Sequence, residues 1–114
     1  MSRRRIVMTT TLKESAVEEY ERAHRNPPPV VFEYSHKLGI RNVSLYRHGT
    51  SLVQVVEADD LEASQIGLDG DPRALEFIEE MRALMEAPSS ESGGWTEAVE
   101  IYRWDSDAGL VIRP

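Results

Sequence analysis

The chain has 114 residues, a formal net charge of −7 and no cysteine. A chain of this length predicts one domain, residues 1–114, with a core of its own. The negative charge argues against nucleic-acid binding, no apolar run is long enough for a membrane span, and the lack of cysteine excludes disulfides and thiol chemistry.

The first part of the chain predicts one strand followed by two helices. Residues 4–11 are rich in β-branched side chains, and residues 13–25 carry apolar side chains at helical spacing. Prolines 27–29 end that helix, and a second helix is predicted over residues 30–38, before Gly39. Arginines precede the first strand, but the apolar stretch after them is too short for a signal peptide, so we expect a cytoplasmic protein.

The middle of the chain predicts a hairpin. Residues 41–47 and 51–58 both favour strands, and the short connection between them contains Gly49. The second strand is apolar on both faces, which is typical of a central strand covered on both sides.

The last part predicts a short helix over residues 59–66, a longer helix and a strand. Asp71-Pro72 is a helix start, and an apolar stripe continues that helix to about residue 86. A small, polar loop covers 89–94, and residues 96–104 alternate as a final strand would.

The order of these elements predicts a ferredoxin-like βαββαβ fold of the α+β class, with a four-stranded antiparallel sheet and helices on one face. The other face would carry Tyr102, Trp104 and apolar groups of the central strands. Such a face is rarely left bare in a monomer, so we expect a homodimer in which two sheets close a dimeric α/β barrel. A small-molecule ligand is expected in a pocket between the sheet and the helices of each subunit.

The clearest candidate for chemistry is the pattern Tyr20-x-x-x-His24. Residues four apart share one helix face, so the phenol and the imidazole can point into one pocket. Imidazole is the natural acid or base near neutral pH, and the negative end of the helix dipole lies close to His24 and favours its protonated form. The pattern predicts His24 as a general acid with Tyr20 beside it.

The same residues also permit a purely structural interpretation. His24 can bond to free helix carbonyls and Tyr20 can belong to the core, and the protein is then a non-catalytic ligand-binding dimer. His24, His36 and His48 lie twelve residues apart, a spacing that matches no metal site on a single element, so no metal is expected.

Residues 17–46 resemble the L-rhamnose mutarotase family. That family has a Glu-Tyr-x-x-x-His element, a Pro five residues after the His, a helix, a Gly, and an Asn-Tyr-(Ser/Ala)-(Ile/Leu)-Tyr strand. The matching residues are Glu19-Tyr20, His24, Pro29, Gly39 and Asn42-Val43-Ser44-Leu45-Tyr46. The likeness continues through Val56-Glu57-Ala58-Asp59 and ends at Val99-Glu100-Ile101-Tyr102.

The resemblance implies a dimeric α/β barrel that interconverts the anomers of a small sugar without a cofactor or metal. It implies that the catalytic residues are His24, as the proton donor, and Tyr20, which binds the sugar. The candidate substrate-binding residues are Asn42, Val43, Tyr46, Phe77, Ile78, Tyr102 and Trp104.

Three of these positions depart from the family. Val43 stands where the family has a sugar-binding Tyr, and Phe77 and Ile78 stand where it has two Trp. Sugars favour aromatic platforms flanked by hydrogen-bonding groups, so these changes predict a more apolar pocket.

A second resemblance points to the tetracenomycin-type aromatic polyketide cyclases, which share the fold. It rests on Gly39-Ile40-Arg41, on Leu45 to Gly49, on Val56 to Asp60 and on Tyr102-Arg103-Trp104. That family's Asp-x-x-Glu-Leu-Pro element is missing, and residues 24–29 read His-Arg-Asn-Pro-Pro-Pro instead. The alternative function is therefore a polyketide cyclase of secondary metabolism that acts on an apolar substrate.

Overall fold

Four strands form one antiparallel sheet in the computed structural model, which describes residues 4–60, 72–89 and 92–112. The strands are β1 (Arg4–Thr11), β2 (Ile40–His48), β3 (Ser51–Ala58) and β4 (Thr96–Ala98). The α-helices of the described ranges are α1 (Val17–Arg25), α2 (Pro29–Lys37) and α3 (Pro72–Arg82). A separate two-stranded hairpin follows, made of β5 (Arg103–Asp105) and β6 (Gly109–Ile112).

The strand order is β2-β3-β1-β4, which is the order of a ferredoxin-like sheet and confirms the predicted fold. In the register, Val56 of β3 lies opposite both Ile6 of β1 and Val43 of β2. Residues opposite each other share a face, so one set of side chains from three strands points towards the helices. β3 is a central strand, as predicted, but helices cover only one of its two faces in the described ranges.

Prolines and a glycine set the ends of the first two helices, as predicted. The chain leaves α1 at Asn26, and Pro29 begins α2, where a missing N–H costs nothing. After α2, Gly39 has φ +84°, and its N–H donates to the carbonyl of His36 at 3.1 Å. This left-handed residue turns the chain directly into β2.

The core lies between the sheet and helices α1 and α3. Its buried centre is formed by Leu12, Tyr20, Leu52, Met81 and Met85. Each large apolar side chain buried in this way contributes roughly 1.5–3 kcal/mol. The core therefore holds one face of α1, the face that carries Tyr20, firmly against the sheet.

Helix α3 is shorter than predicted. It ends at Arg82 instead of about residue 86, because the next residues bond to β1. The N–H of Glu86 donates to the carbonyl of Thr11 at 2.8 Å, and the N–H of Lys13 donates to the carbonyl of Leu84 at 2.9 Å. The apolar stripe of Leu84 and Met85 thus continues into the core, but not as a helix.

The final strand differs most from the prediction. β4 stops at Ala98, residues 99–102 lie outside the sheet, and β5 pairs with β6 instead of extending β4. A local turn competes with the alternating pattern: Asp105 Oδ1 accepts the N–H groups of Asp107 and Ala108 at 2.8 and 3.0 Å. These bonds lower the pKa of the Asp105 carboxyl. The short helix predicted over residues 59–66 falls largely outside the described residues.

The second face of the sheet has no helix over it in the described ranges. The register places on it the apolar side chains of Val7, Tyr46, Val53, Val55 and Ala98. We call this surface the open face. The described helices include none that is long and apolar enough to cross a membrane.

Candidate functional site

A cavity of about 940 Å³ lies between the inner face of the sheet and the three helices. The sheet supplies its floor through Ile6 and Met8 of β1, Val43 and Leu45 of β2, and Gln54 and Val56 of β3. Its walls come from α1, α2, α3 and the turn at Gly93, and include Tyr20, His24, Val31, Phe77, Ile78, Met81 and Trp95. The size and the largely apolar lining are those of a small-molecule pocket, in the place predicted.

His24 enters this cavity from the last turn of α1. Its Nδ1 lies 2.8 Å from the backbone carbonyl oxygen of Tyr20, one helix turn earlier. A carbonyl only accepts hydrogen bonds, so Nδ1 carries the hydrogen, and Nε2 is the nitrogen that gains or loses a proton. The backbone of α1 therefore selects the imidazole tautomer.

Two aromatic rings hold the imidazole in place. The Tyr20 ring lies 4.3 Å from it, centroid to centroid, in a tilted arrangement, and Phe77 approaches edge-on at 5.7 Å. Tilted and edge-on contacts at these distances are favourable ring geometries. His24 is thus fixed by one hydrogen bond and by side chains from two helices.

Tyr20 is buried, with 3% of its surface exposed, yet it also lines the cavity. Within the described ranges its hydroxyl has no hydrogen-bond partner. Burial raises the pKa of the phenol well above its ordinary value. Tyr20 therefore stays protonated across the physiological range and offers a hydrogen-bond donor to a ligand.

An ion pair lies where the cavity meets solvent. Arg41 lines the cavity, and its Nε lies 3.0 and 3.1 Å from the two carboxylate oxygens of Asp59. This contact raises the pKa of the Arg41 guanidinium. A second pair joins the helix that carries His24 to the sheet, since Arg47 of β2 bonds to Glu21 of α1.

Six of the nine predicted site residues meet in this cavity. They are Tyr20, His24, Asn42, Val43, Phe77 and Ile78. His36 is exposed and also lies at the cavity rim.

The other three predicted residues, Tyr46, Tyr102 and Trp104, do not line it and are 60–65% exposed. Tyr46 pairs with Val53 on the open face, so the alternation of β2 turns it away from the helices. Tyr102 and Trp104 fall after the point where the chain leaves the sheet. The structure therefore does not bring these three residues into the cavity.

The sequence analysis missed several residues of the site. Gln54 is a polar residue at the centre of the floor, and Trp95 is an aromatic residue in the wall. The signal for Gln54 was its place two residues from Leu52 and from Val56, which fixes it on their face of β3. Trp95 packs against the core and lines the cavity at once.

A family model described as L-rhamnose mutarotase matches residues 5–104. No functionally curated protein matches the sequence significantly.

Two solved structures share the fold. An L-rhamnose mutarotase of Formosa agariphila has a TM-score of 0.70 at 11% identity, over 90% of this chain and 99% of its own. Tetracenomycin F2 cyclase of Streptomyces glaucescens, a type II polyketide cyclase, has a TM-score of 0.60 at 17% identity, over 90% of this chain and 98% of its own.

Proposed function

Because the chain belongs to the L-rhamnose mutarotase family, we propose that it is an isomerase that interconverts the anomers of a small reducing sugar. The observation that carries this proposal is the state of His24. Its Nδ1 is held by the Tyr20 carbonyl, and its ring lines a ligand-sized cavity in which Nε2 can act on a substrate.

Ring opening needs one proton to be transferred to the sugar and one to be removed from it. Nε2–H of the protonated imidazole donates to the ring oxygen of the sugar, while the proton of the anomeric hydroxyl passes to solvent. The bond between the anomeric carbon and the ring oxygen breaks, and the open-chain aldehyde rotates. The reverse transfers then close the ring on the other face and restore the imidazolium, so nothing is consumed.

The Tyr20 hydroxyl is the proposed partner of a sugar hydroxyl, whereas the Asn42 side-chain oxygen accepts from Ser44 Oγ at 3.3 Å. The Tyr20 hydroxyl lies one helix turn from His24 on the same face of α1, so a hydroxyl held by Tyr20 sits close to the acid. Val43 in the floor and Phe77 and Ile78 in the wall provide apolar surface that fits the carbon face of a deoxy sugar. A positioned acid of this kind contributes about 10²–10⁴-fold to the rate.

The apolar walls also favour a second candidate, a polyketide cyclase. Met8, Val43, Phe77 and Ile78 offer surface to a large, flat, apolar substrate, and a cyclase shares the fold. His24 would then deliver its proton to a ketone oxygen during an aldol ring closure. Gln54 and the Tyr20 hydroxyl argue for the sugar, because a wholly apolar ligand would leave these two groups without partners.

We include a homodimer in the proposal. The open face carries valines from both central strands, and Tyr46 on it is 60% exposed. Pairing two such faces would cover them and close a dimeric α/β barrel. The expected cytoplasmic location remains a prediction, which fractionation of the native cells would check.

Anomer exchange measured by NMR tests the function. The anomeric proton of one form of L-rhamnose is saturated, and the loss of intensity at the other anomer gives the exchange rate. We expect the protein to raise this rate above that of buffer, and L-fucose to report on substrate range. No acceleration with either sugar, together with ring closure of an aromatic polyketide precursor, would establish the cyclase instead.

A further inference from the structure

Gln54 is a polar side chain in an apolar setting. It lies on the helix-facing side of β3, in a row with Leu52, Val56 and Ala58, which are all buried. Its cross-strand neighbours are Met8 on β1 and Leu45 on β2. Gln54 is half-buried and lines the cavity, so the remaining open side of its amide faces the cavity.

The Gln54 amide has no hydrogen-bond partner among the described residues. Its polar atoms remain accessible from the cavity, so their hydrogen-bond partners come from what the cavity holds. A leucine would match the surroundings of this position better, since apolar side chains flank it on both neighbouring strands. A polar group kept at such a position favours a ligand that bonds to it.

The chemistry of the amide specifies that occupant. Its oxygen accepts and its nitrogen donates, and the two atoms lie side by side. Two neighbouring hydroxyls of a sugar can meet both at once, one donating and the other accepting. The apolar surroundings strengthen these bonds, and they penalise a ligand that cannot make them.

We propose that Gln54 is a substrate-binding residue that grips two adjacent hydroxyls of the sugar from the floor of the cavity. His24 and Tyr20 act on the same sugar from the helix side. This inference rests on the proposed function and makes a vicinal diol the feature that the site recognises.

The test compares Gln54→Leu with the wild-type protein, using L-rhamnose as the probe. We expect kcat/KM for anomer exchange to fall about 10-fold or more, because two hydrogen bonds to the substrate are lost. We also expect Tm without sugar to stay the same or rise, because the unpartnered amide is gone. If Gln54 had only a structural role, Gln54→Leu would lower the Tm of the protein.

Thr10→Val is the matched control on the neighbouring strand. Thr10 lies opposite Leu52, outside the main cavity, and its Oγ1 donates to the carbonyl of Gly94 at 3.2 Å. This variant loses a hydrogen bond inside the protein, so we expect a lower Tm and an unchanged exchange rate.

The outcomes separate this inference from the proposed function. If the wild-type protein accelerates exchange and Gln54→Leu matches it in kcat/KM, the role of Gln54 is wrong and the mutarotase function stands. A Gln54→Leu variant with lower Tm and unchanged kcat/KM contradicts the inference in the same way. No exchange by the wild-type protein overturns both.

Discussion

His24 Nδ1 lies 2.8 Å from the carbonyl oxygen of Tyr20, so the two residues of the candidate site are joined through the backbone as well as by ring contact. Tyr20 lies in the body of α1, and a carbonyl oxygen can accept a second hydrogen bond beside that of the helix. The bond fixes the tautomer of the imidazole and leaves Nε2 for chemistry. A structural histidine would have both nitrogens engaged away from any cavity.

Tyr20→Phe tests the hydroxyl separately from the ring. The aromatic packing against His24 and the core remains, so we expect the free energy of unfolding to change by less than about 1 kcal/mol. We expect kcat/KM for L-rhamnose exchange to fall about 10-fold, because one hydrogen bond to the substrate is lost. Thermal unfolding and NMR exchange on the same sample measure both. An unchanged exchange rate would remove Tyr20 from the site.

The raised pKa of Tyr20 predicts a loss of stability in alkali. In the unfolded chain the phenol ionises near pH 10, whereas in the folded protein burial keeps it protonated. Above pH 10 the folded state keeps a phenol proton that the unfolded state has lost. The free energy of unfolding therefore falls as pH rises, by at most about 1.4 kcal/mol per pH unit for this group.

Tyr20→Phe should make this decline shallower, and Tyr102→Phe is its control. Tyr102 is 65% exposed and lies outside the sheet, so its removal should leave the decline as it is. Denaturant unfolding at a series of pH values from 9 to 11.5 measures the slopes. Equal slopes for all three proteins would contradict the burial of the Tyr20 hydroxyl.

Gly94 is required where the turn before β4 packs on α3. Its φ is +102°, and an added Cβ would lie 2.6 Å from Met85 Sδ and 3.1 Å from Pro88 Cβ. Gly94→Ala should therefore lower the free energy of unfolding by about 2–4 kcal/mol, from the left-handed backbone and the overpacking together.

Gly49→Ala is the control for the backbone part of that effect. Gly49 also has positive φ, at +63°, but nothing lies within 4 Å of an added Cβ. We expect a loss of only about 1 kcal/mol. If urea unfolding gives both variants the same loss in the free energy of unfolding, the contact of the added Cβ with Met85 contributes nothing to the effect at Gly94.

A charge on the open face should break the proposed homodimer. Val55 lies at the centre of that face, between Val7 on β1 and Ser44 on β2. Val55→Arg should shift the protein to monomer in light scattering, and Leu75→Lys, on the exposed side of α3, should not. A wild-type protein that is already monomeric would contradict the proposed interface.

Local sequence patterns predicted most of this fold. The main error arose where a longer β4 competes with a local turn. β-branched residues, the three prolines and Gly39 mark β1, α1 and α2 unambiguously, because each acts on its own backbone. The alternation of residues 96–104 is equally clear, yet β4 stops at Ala98. The turn from Asp105 to Gly109 forms a hairpin of β5 and β6 instead. The alternation of side chains does not show whether a longer β4 or this hairpin is the more stable.

The candidate site was predicted in part for a similar reason. Tyr20 and His24 were found because their contact lies within one helix turn. Gln54 and Trp95 were missed because they reach the cavity only through strand register and through the packing of residues 92–95. A bond from His24 to a helix carbonyl belonged to the structural interpretation, and the structure combines that bond with a place in the cavity.

The exchange rate of L-rhamnose anomers with His24→Asn tests the central claim most directly. The Asn amide can still donate to the Tyr20 carbonyl but has no proton to transfer, and His48→Asn, in the exposed end of β2, is the matched control. We predict that the wild-type protein and His48→Asn accelerate exchange equally, and that His24→Asn is slower by about 10²-fold or more. Equal acceleration by all three folded proteins would contradict the account.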